Sequence, residues 1–194
     1  MNNNELIKIS APSAHLICQQ LELEDEAKQL LNSEQTPLQY LLLLVENKAF
    51  PDAIRFLAMA LPKREAVWWA CVSARGSITD KTKPQVIAAL TAAEAWVYQP
   101  TEENRRGAMA LAEATEFNGA GSWAAVAAFW SGGSMSPPDA PIIPPSEDLT
   151  AKAVAGAVML AVAEMDPEKA DDNYKKLLMQ GIDIAKGGKG DLTQ

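Results

Sequence analysis

The sequence is poor in the residues that metal centres and nucleophilic sites require. Among its 194 residues are one histidine and two cysteines. Cys18 and Cys71 form neither a disulfide framework nor a CxxC pair, and His15 with Cys18 supplies too few ligands for a zinc site. The HExxH, GxSxG and Gly-rich phosphate-binding motifs are missing. We therefore expect no metal, no cofactor and no enzymatic activity.

Basic residues are outnumbered by acidic ones. The chain has 17 lysines and arginines against 25 acidic residues, which gives a formal net charge of −8. Nucleic acids and anionic membrane surfaces both attract clustered cations, so this charge argues against either partner. The first ten residues lack a signal-peptide pattern, and the apolar run Leu38–Val45 is too short to span a bilayer. We expect a cytoplasmic protein.

The alternation of apolar and polar residues that marks β-strands is also missing, and helix start and stop signals divide the chain. Proline stands at predicted helix starts, as at Pro37, and glycine after predicted helix ends, as at Gly76. Thr36, Thr101 and Ser122 are predicted N-caps, the last of them for a helix over Trp123–Trp130. This pattern predicts a single all-α domain, a bundle of packed antiparallel helices, over residues 11–186. A short HEAT-like helical stack is the second choice, because no fixed repeat period is visible. Residues 1–10 and 187–194 are expected to be flexible.

The segment Leu61–Arg75, with the sequence LPKREAVWWACVSAR, is predicted to be the packed centre of the domain. Its apolar residues occupy one broad arc of a helix, and Arg64 and Arg75 lie near the middle of that arc. Because a buried charge needs a partner, we expect one of these arginines to be buried and bonded to a carboxylate. Glu94 is the first choice, since it lies on the apolar arc of the next helix. The alternative is a pocket in which this Arg/Glu site serves an enzyme or a small-molecule-binding protein.

Five tryptophans are the large anchors of a chain in which aromatic residues make up only 6%. Trp68 and Trp69 lie about 100° apart on a helix, so we expect Trp68 to be buried and Trp69 to lie near the edge of the apolar arc. Semi-exposed aromatic residues are typical anchors of protein interfaces. Trp69, Trp123 and Trp130 are therefore predicted to bind a partner. The alternative is that all five tryptophans fill the core.

Residues 131–146, SGGSMSPPDAPIIPPS, contain five prolines and two glycines and are predicted to run extended. Met135, Ile142 and Ile143 give this segment apolar side chains that can contact the helices. Since long structureless loops are uncommon in compact domains, we expect a strap across the domain instead of a flexible linker. Met135 and Ile142 are further candidates for partner binding, as lids over a bound segment.

Three motifs together resemble those of a bacterial helical domain family of unknown function. They are LPKREAVWWACVSAR at Leu61–Arg75, GGSM at Gly132–Met135 and the Pro-rich segment before LTAKAVAGAVMLA, and the resemblance runs from about Phe50 to Val162. Members of that family are encoded in or near type VI secretion clusters, beside spike-tip and effector-loading genes, and no catalytic residues are established for them. The resemblance implies a secretion-linked accessory role.

Together with the acidic surface and the aromatic anchors, this resemblance indicates a non-enzymatic adaptor or chaperone-like protein. We expect it to dock a segment of another secretion protein, such as an effector or a spike component, in an apolar groove between helices. A purely structural, self-assembling subunit is the third possibility.

Overall fold

The computed structural model describes residues 6–191, and this part of the chain contains ten α-helices and no strand. The helices are α1 (Ala14–Cys18), α2 (Asp25–Leu30), α3 (Pro37–Glu46), α4 (Phe50–Ala60), α5 (Lys63–Ser77), α6 (Pro84–Tyr98), α7 (Glu102–Ala114), α8 (Ala120–Phe129), α9 (Leu149–Glu164) and α10 (Ala170–Ala185). A short 3-10 helix, Pro167–Lys169, precedes α10. The predicted all-α, single-domain fold class is confirmed. Among the helices of this described part, none is long and apolar enough to cross a membrane.

Helices begin where the sequence predicts when a nearby threonine or proline supplies the signal. The Thr36 hydroxyl accepts a hydrogen bond from the Gln39 amide at 3.2 Å, and the Gln39 side chain accepts one from the Thr36 amide at 2.9 Å. Thr101 caps α7 by accepting from the Asn104 amide. Proline occupies the first turn of α3, α4 and α6, where its missing N–H costs nothing. Gly76 does not end α5 as predicted, because the helix continues for one more residue.

Helix α8 begins three residues before the predicted start, and Ser122 is not its cap. Gly119 holds the N-cap position with a φ of 85°, and the Glu164 carboxylate accepts a hydrogen bond from the Ala120 amide at 2.8 Å. Ser122 instead donates its hydroxyl to the Asn118 carbonyl at 2.6 Å. The predicted cap is wrong because a side chain from the end of α9 takes its place.

Helices α5 and α9 form the centre of the bundle. They contact each other, and α9 also contacts α4, α8 and α10. Ala153, Ala157 and Ala161 are fully buried along α9, and their small side chains let the neighbouring helices approach closely. Three helices separate α5 from α9 in the chain, whereas each repeat of a helical stack contacts only its neighbours. These contacts favour the bundle over the HEAT-like alternative.

Both ends of the described chain pack on the helices. The Lys8 amide donates to the Ala185 carbonyl at 2.9 Å, and Nε1 of Trp68 donates to the Lys189 carbonyl at 3.0 Å. The packed domain therefore extends on both sides of the predicted bounds of 11–186. The outermost residues of the predicted flexible ends lie outside the described part of the chain.

Candidate functional site

Trp69 is fully buried, so the prediction that it lies at an exposed edge is wrong. Its Nε1 donates to the Leu177 carbonyl of α10 at 2.8 Å. Gly181 lets α10 approach the indole closely, since a Cβ on this glycine would lie 2.7 Å from Cε2 of Trp69. Trp68 is the partly exposed member of the pair, and its ring centroid lies 5.9 Å from that of Tyr98. A partner has no access to Trp69 in this fold, because α10 packs over it.

The predicted ion pair between Arg75 and Glu94 is present, but it is not buried. Nε and Nη2 of Arg75 donate to the two carboxylate oxygens of Glu94, each at 2.7 Å. Nη2 also donates to the Thr91 hydroxyl at 3.0 Å, and the hydrogen bonding with Glu94 raises the pKa of Arg75. The Arg75 and Glu94 side chains are 40% and 19% exposed. Arg64 is also exposed and donates to the Val97 carbonyl at 2.6 Å, so the burial predicted for either arginine is wrong.

Trp123 and Trp130, the other two predicted anchors, lie side by side at the surface. Their ring centroids are 6.4 Å apart in a T-shaped arrangement, and both side chains are partly exposed. They border a depression of about 670 Å³, here called the tryptophan groove, whose lining residues are Trp123, Trp130, Leu149, Lys152, Gly156, Met159 and Leu160. Lys152 is the one charged residue in this set. The groove is therefore an almost wholly apolar surface.

The tryptophan groove is built by two helices through the helical repeat. Trp123 and Trp130 are seven residues apart, about two turns, so they project from the same face of α8 and the residue that follows it. The groove-lining residues of α9 are mostly three or four positions apart in the sequence, so they lie on one face of that helix. Thr150 ties the two helices together by donating its hydroxyl to the Trp130 carbonyl at 2.8 Å. Gly156 lies beneath the indole of Trp123, and a Cβ there would be in ordinary contact, 3.8 Å from Cε3 of Trp123.

Charged side chains lie at the rim of the tryptophan groove. Lys152 pairs with Asp148 at 2.5 Å. Hydrogen bonds from Lys152 and from the Ser146 hydroxyl lower the pKa of Asp148 to about 2. The exposed face of α9 also borders a second, more polar groove, whose other lining residues include 20–24, Lys28, Arg55 and Met59. The site thus combines an apolar floor with an ionic rim.

The strap, residues 131–146, lies against the domain, but an arginine holds it and not the predicted apolar side chains. Arg105 is only 4% exposed, and it donates to the carbonyls of Phe129 at 2.6 Å and Ser134 at 2.8 Å. Glu102 balances its charge through hydrogen bonds of 2.6 and 2.8 Å. The guanidinium also lies 4.5 Å from the centroid of the Phe129 ring. The start of the strap is therefore fixed to α7.

A second arginine and a glycine complete this attachment. Arg106 donates to the Ser136 carbonyl at 3.0 Å and to Glu102 at 2.7 Å. Gly133 has a φ of 65°, and a Cβ there would lie 2.9 Å from the Arg105 guanidinium, so only glycine lets the arginine pack beneath the strap. Neither arginine is among the residues predicted from the sequence. The acidic residue three and four positions before them on the same helix is the signal that indicates paired cations.

The apolar residues of the strap face solvent. The Met135 amide donates to the Ile143 carbonyl at 2.8 Å, and the Ile143 amide donates to the Ser134 hydroxyl at 3.1 Å. These bonds close a loop from which Ile142 and Ile143 project, 81% and 55% exposed. Neither Met135 nor Ile142 lines the tryptophan groove of its own chain. We call the exposed isoleucine pair the strap knob.

Neither a metal-binding cluster nor a thiol of lowered pKa is found among the described residues. Within residues 6–191, no group of three or more histidine, cysteine or carboxylate side chains is placed to hold a metal ion. Burial raises the pKa of Cys18 to about 11 and also raises that of Cys71. Both thiols therefore stay protonated at neutral pH, which disfavours either as a nucleophile. The tryptophan groove, in contrast, suits apolar side chains from another polypeptide.

The chain was compared with known proteins at three levels. Comparison with curated proteins and with solved structures gives no match. The model of a family described as a family of unknown function, DUF6931, matches residues 40–185. This range contains α5, both helices of the tryptophan groove and the whole strap. The chain therefore belongs to the DUF6931 family of unknown function.

Proposed function

We propose that the protein is a non-enzymatic adaptor or chaperone-like protein that holds a segment of another protein in the tryptophan groove. The observation that carries this proposal is the surface pair of Trp123 and Trp130 beside the exposed face of α9. Tryptophan and methionine are enriched in protein interfaces, and tryptophan dominates binding hot spots. Covering this aromatic pair with apolar side chains removes apolar surface from water, which stabilises a complex.

The shape of the groove suits a short segment. Along α9, the stretch from Leu149 to Leu160 is about 17 Å long, which matches about three turns of a bound helix. An amphipathic helix would place apolar side chains at positions i, i+3 or i+4, and i+7 along the groove. Asp148 and Lys152 lie at one end of this stretch, where they would orient a charged partner.

We further propose that the partner belongs to a type VI-like secretion system, as an effector or a spike component, and that binding takes place in the cytoplasm. The support for this step is the resemblance carried by the motifs at Leu61–Arg75 and Gly132–Met135. In the fold, the first motif supplies the buried Trp69 and the Arg75 ion pair, whereas the groove is formed by α8 and α9. The motif residues therefore support the scaffold, and the groove makes the contact with the partner.

Affinity purification from the native bacterium, followed by mass spectrometry, identifies the partner. The purified partner is then titrated by calorimetry against the wild-type protein and Trp123→Ala. Truncation of a hot-spot tryptophan costs about 2 kcal/mol or more, so Kd should rise at least about 30-fold. Tyr98→Ala is the matched control, because Tyr98 is an aromatic residue that is 70% exposed and lies outside the groove.

Gly156→Leu tests the same surface without removing a contact. Its added side chain would fill the groove and should weaken binding, while the circular dichroism and thermal midpoint stay unchanged. Wild-type affinity in a folded Trp123→Ala variant, or equal losses in Trp123→Ala and Tyr98→Ala, would overturn the proposal. Purification of the protein alone, together with turnover of a small molecule, would favour the enzyme alternative.

A further inference from the structure

The strap knob and the tryptophan groove are complementary surfaces of the same chain. Ile142 is 81% exposed and Ile143 is 55% exposed, and such a pair is stabilised when another surface covers it. The groove is an almost wholly apolar depression that leaves room for such side chains. We propose that two copies of the protein associate, each inserting its strap knob into the tryptophan groove of the other. This inference rests on the proposed function in one respect, because both treat the groove as a docking site for a protein segment.

The strap knob is held in one conformation before it binds. Pro141 and Pro144 fix their own φ angles, and proline also restricts the residue before it to extended backbone, which here applies to Ala140 and Ile143. The loop is closed by the hydrogen bond from the Met135 amide to the Ile143 carbonyl. A preorganised segment loses little conformational entropy on binding. Proline-rich extended segments typically dock in grooves lined by aromatic side chains, and the two tryptophans supply such a lining.

The charges on the two surfaces are opposite. Asp139 is the only charged residue of the strap, and it lies three positions before Ile142. Lys152 is the only charged residue that lines the groove. It already pairs with Asp148 of its own chain, but its side chain is 70% exposed, so a second carboxylate has room to approach it. When the knob of one copy enters the groove of the other, Asp139 comes near Lys152 of the second copy. This complementarity favours a second copy as the occupant of the groove.

The position of the strap allows each copy of a dimer to place its strap knob in the tryptophan groove of the other copy. The strap leaves the end of α8 directly after Trp130 and returns to the chain shortly before Leu149, and both of these residues line the groove. Both ends of the strap that carries the knob therefore lie beside the groove. Arg105 and Arg106 hold the strap where it does not line its own groove. A twofold axis between two copies fills both grooves at once and gives a closed dimer.

Sedimentation velocity on the full chain, from low micromolar to several hundred micromolar, measures the association. We expect a monomer–dimer equilibrium whose Kd rises at least about 30-fold in Ile142→Asp. Met179→Asp is the matched control, because Met179 is an apolar residue on α10 that is 47% exposed. This control should dimerise like the wild-type protein. Ile142 is so exposed that its replacement leaves the fold intact, which circular dichroism checks.

Charge-reversal substitutions and disulfide cross-linking test the geometry of the dimer. Asp139→Lys and Lys152→Glu should each weaken dimerisation, and the double variant should recover it. Mixing an Ile142→Cys variant with a Gly156→Cys variant under oxidising conditions should give a cross-linked heterodimer, while neither variant cross-links efficiently alone. The native thiols do not compete, since Cys18 and Cys71 are buried.

A monomer at every concentration, or a dimer that Ile142→Asp and the charge variants leave unchanged, would overturn the inference. The result also separates the two proposals. If the chain is monomeric but Trp123→Ala still loses the partner, the dimer is wrong and the adaptor function stands. If the dimer forms as described but Trp123→Ala binds the partner normally, the adaptor function is wrong and the dimer stands.

Discussion

Replacing Arg105 by methionine removes a buried cation from the junction of α7, the end of α8 and the strap. The arginine side chain is 4% exposed, and it donates to the carbonyls of Phe129 and Ser134 and to the Glu102 carboxylate. Methionine keeps a long apolar stem but offers no donor. In Arg105→Met, the Phe129 carbonyl loses its arginine donor, whereas the Ser134 carbonyl keeps a 3.3 Å hydrogen bond from Arg106, and Glu102 also keeps its contact with Arg106.

The expected loss of stability follows from these contacts. A buried carbonyl that loses its donor costs about 1–3 kcal/mol, and the lower end applies to Ser134, which is partly exposed and keeps the hydrogen bond from Arg106. The cation–π contact with Phe129 adds about 0.5–1 kcal/mol. Glu102 is 55% exposed, so hydration offsets much of its loss. The total is about 3 kcal/mol, which for a domain of this size lowers the melting temperature by about 6–12 °C.

Urea unfolding followed by circular dichroism measures this free-energy change. Hydrogen exchange then locates it, since the amides of Met135 and Ile143 should exchange faster in Arg105→Met if the strap loosens. Arg106→Met is the matched control, because Arg106 is the adjacent arginine and its side chain is 28% exposed. Its loss should stay below about 1 kcal/mol. A similarly small loss in Arg105→Met, or equal losses in both variants, would refute the reasoning.

Three further predictions concern single residues of the scaffold. Hydrogen bonds from the neighbouring arginines lower the pKa of Glu102 from 4.5 to about 2. Its contribution to stability is therefore complete above about pH 4.5 and is lost as the pH falls toward 2, so Glu102→Gln should flatten this part of a stability–pH curve. Glu94→Ala leaves an arginine that is 40% exposed and should cost about 1 kcal/mol or less in urea unfolding; a loss above about 3 kcal/mol would contradict this. Gly181→Ala places a Cβ 2.7 Å from Cε2 of Trp69 and should cost about 1–3 kcal/mol in thermal unfolding by overpacking. Gly107→Ala, where a Cβ meets nothing within 4 Å, should be neutral or stabilising, and equal melts for the two alanine variants would contradict the expected clash.

The sequence predicts a helix start well when the capping side chain and the backbone amide that donates to it lie within one helical turn. Thr36 and Thr101 each accept from an amide three residues ahead, so the pattern of residues alone identifies both caps. The start of α8 depends on Glu164, which reaches the Ala120 amide from 44 residues away. No local pattern contains that contact, so the sequence predicts a cap at Ser122, whereas the Ser122 hydroxyl donates to the Asn118 carbonyl.

The same distinction separates the two tryptophan predictions. Trp123 and Trp130 share a helix face because of their spacing, which is visible in the sequence. Trp68 and Trp69 are adjacent, so both lie close to the apolar arc of α5, and a neighbouring element decides which one is buried. That element is α10, whose Leu177 carbonyl accepts from Trp69 across 108 residues of sequence. Helical periodicity alone contains no information about this contact.

Arginine burial in this protein is decided by the backbone that surrounds each side chain and not by the helical arc. Arg75 lies on the apolar arc of α5, yet its long side chain reaches the surface and pairs there with Glu94. Arg105 stands in the polar segment Glu102–Arg106, yet it is buried because the strap covers it. An irregular strap has carbonyls without helical partners, and buried carbonyls need donors. Because α8 ends at Phe129 and the glycines and prolines keep the strap out of a helix, the carbonyls of Phe129 and Ser134 have no helical partner. Arg105 donates to both, so the buried cation is a consequence of the strap.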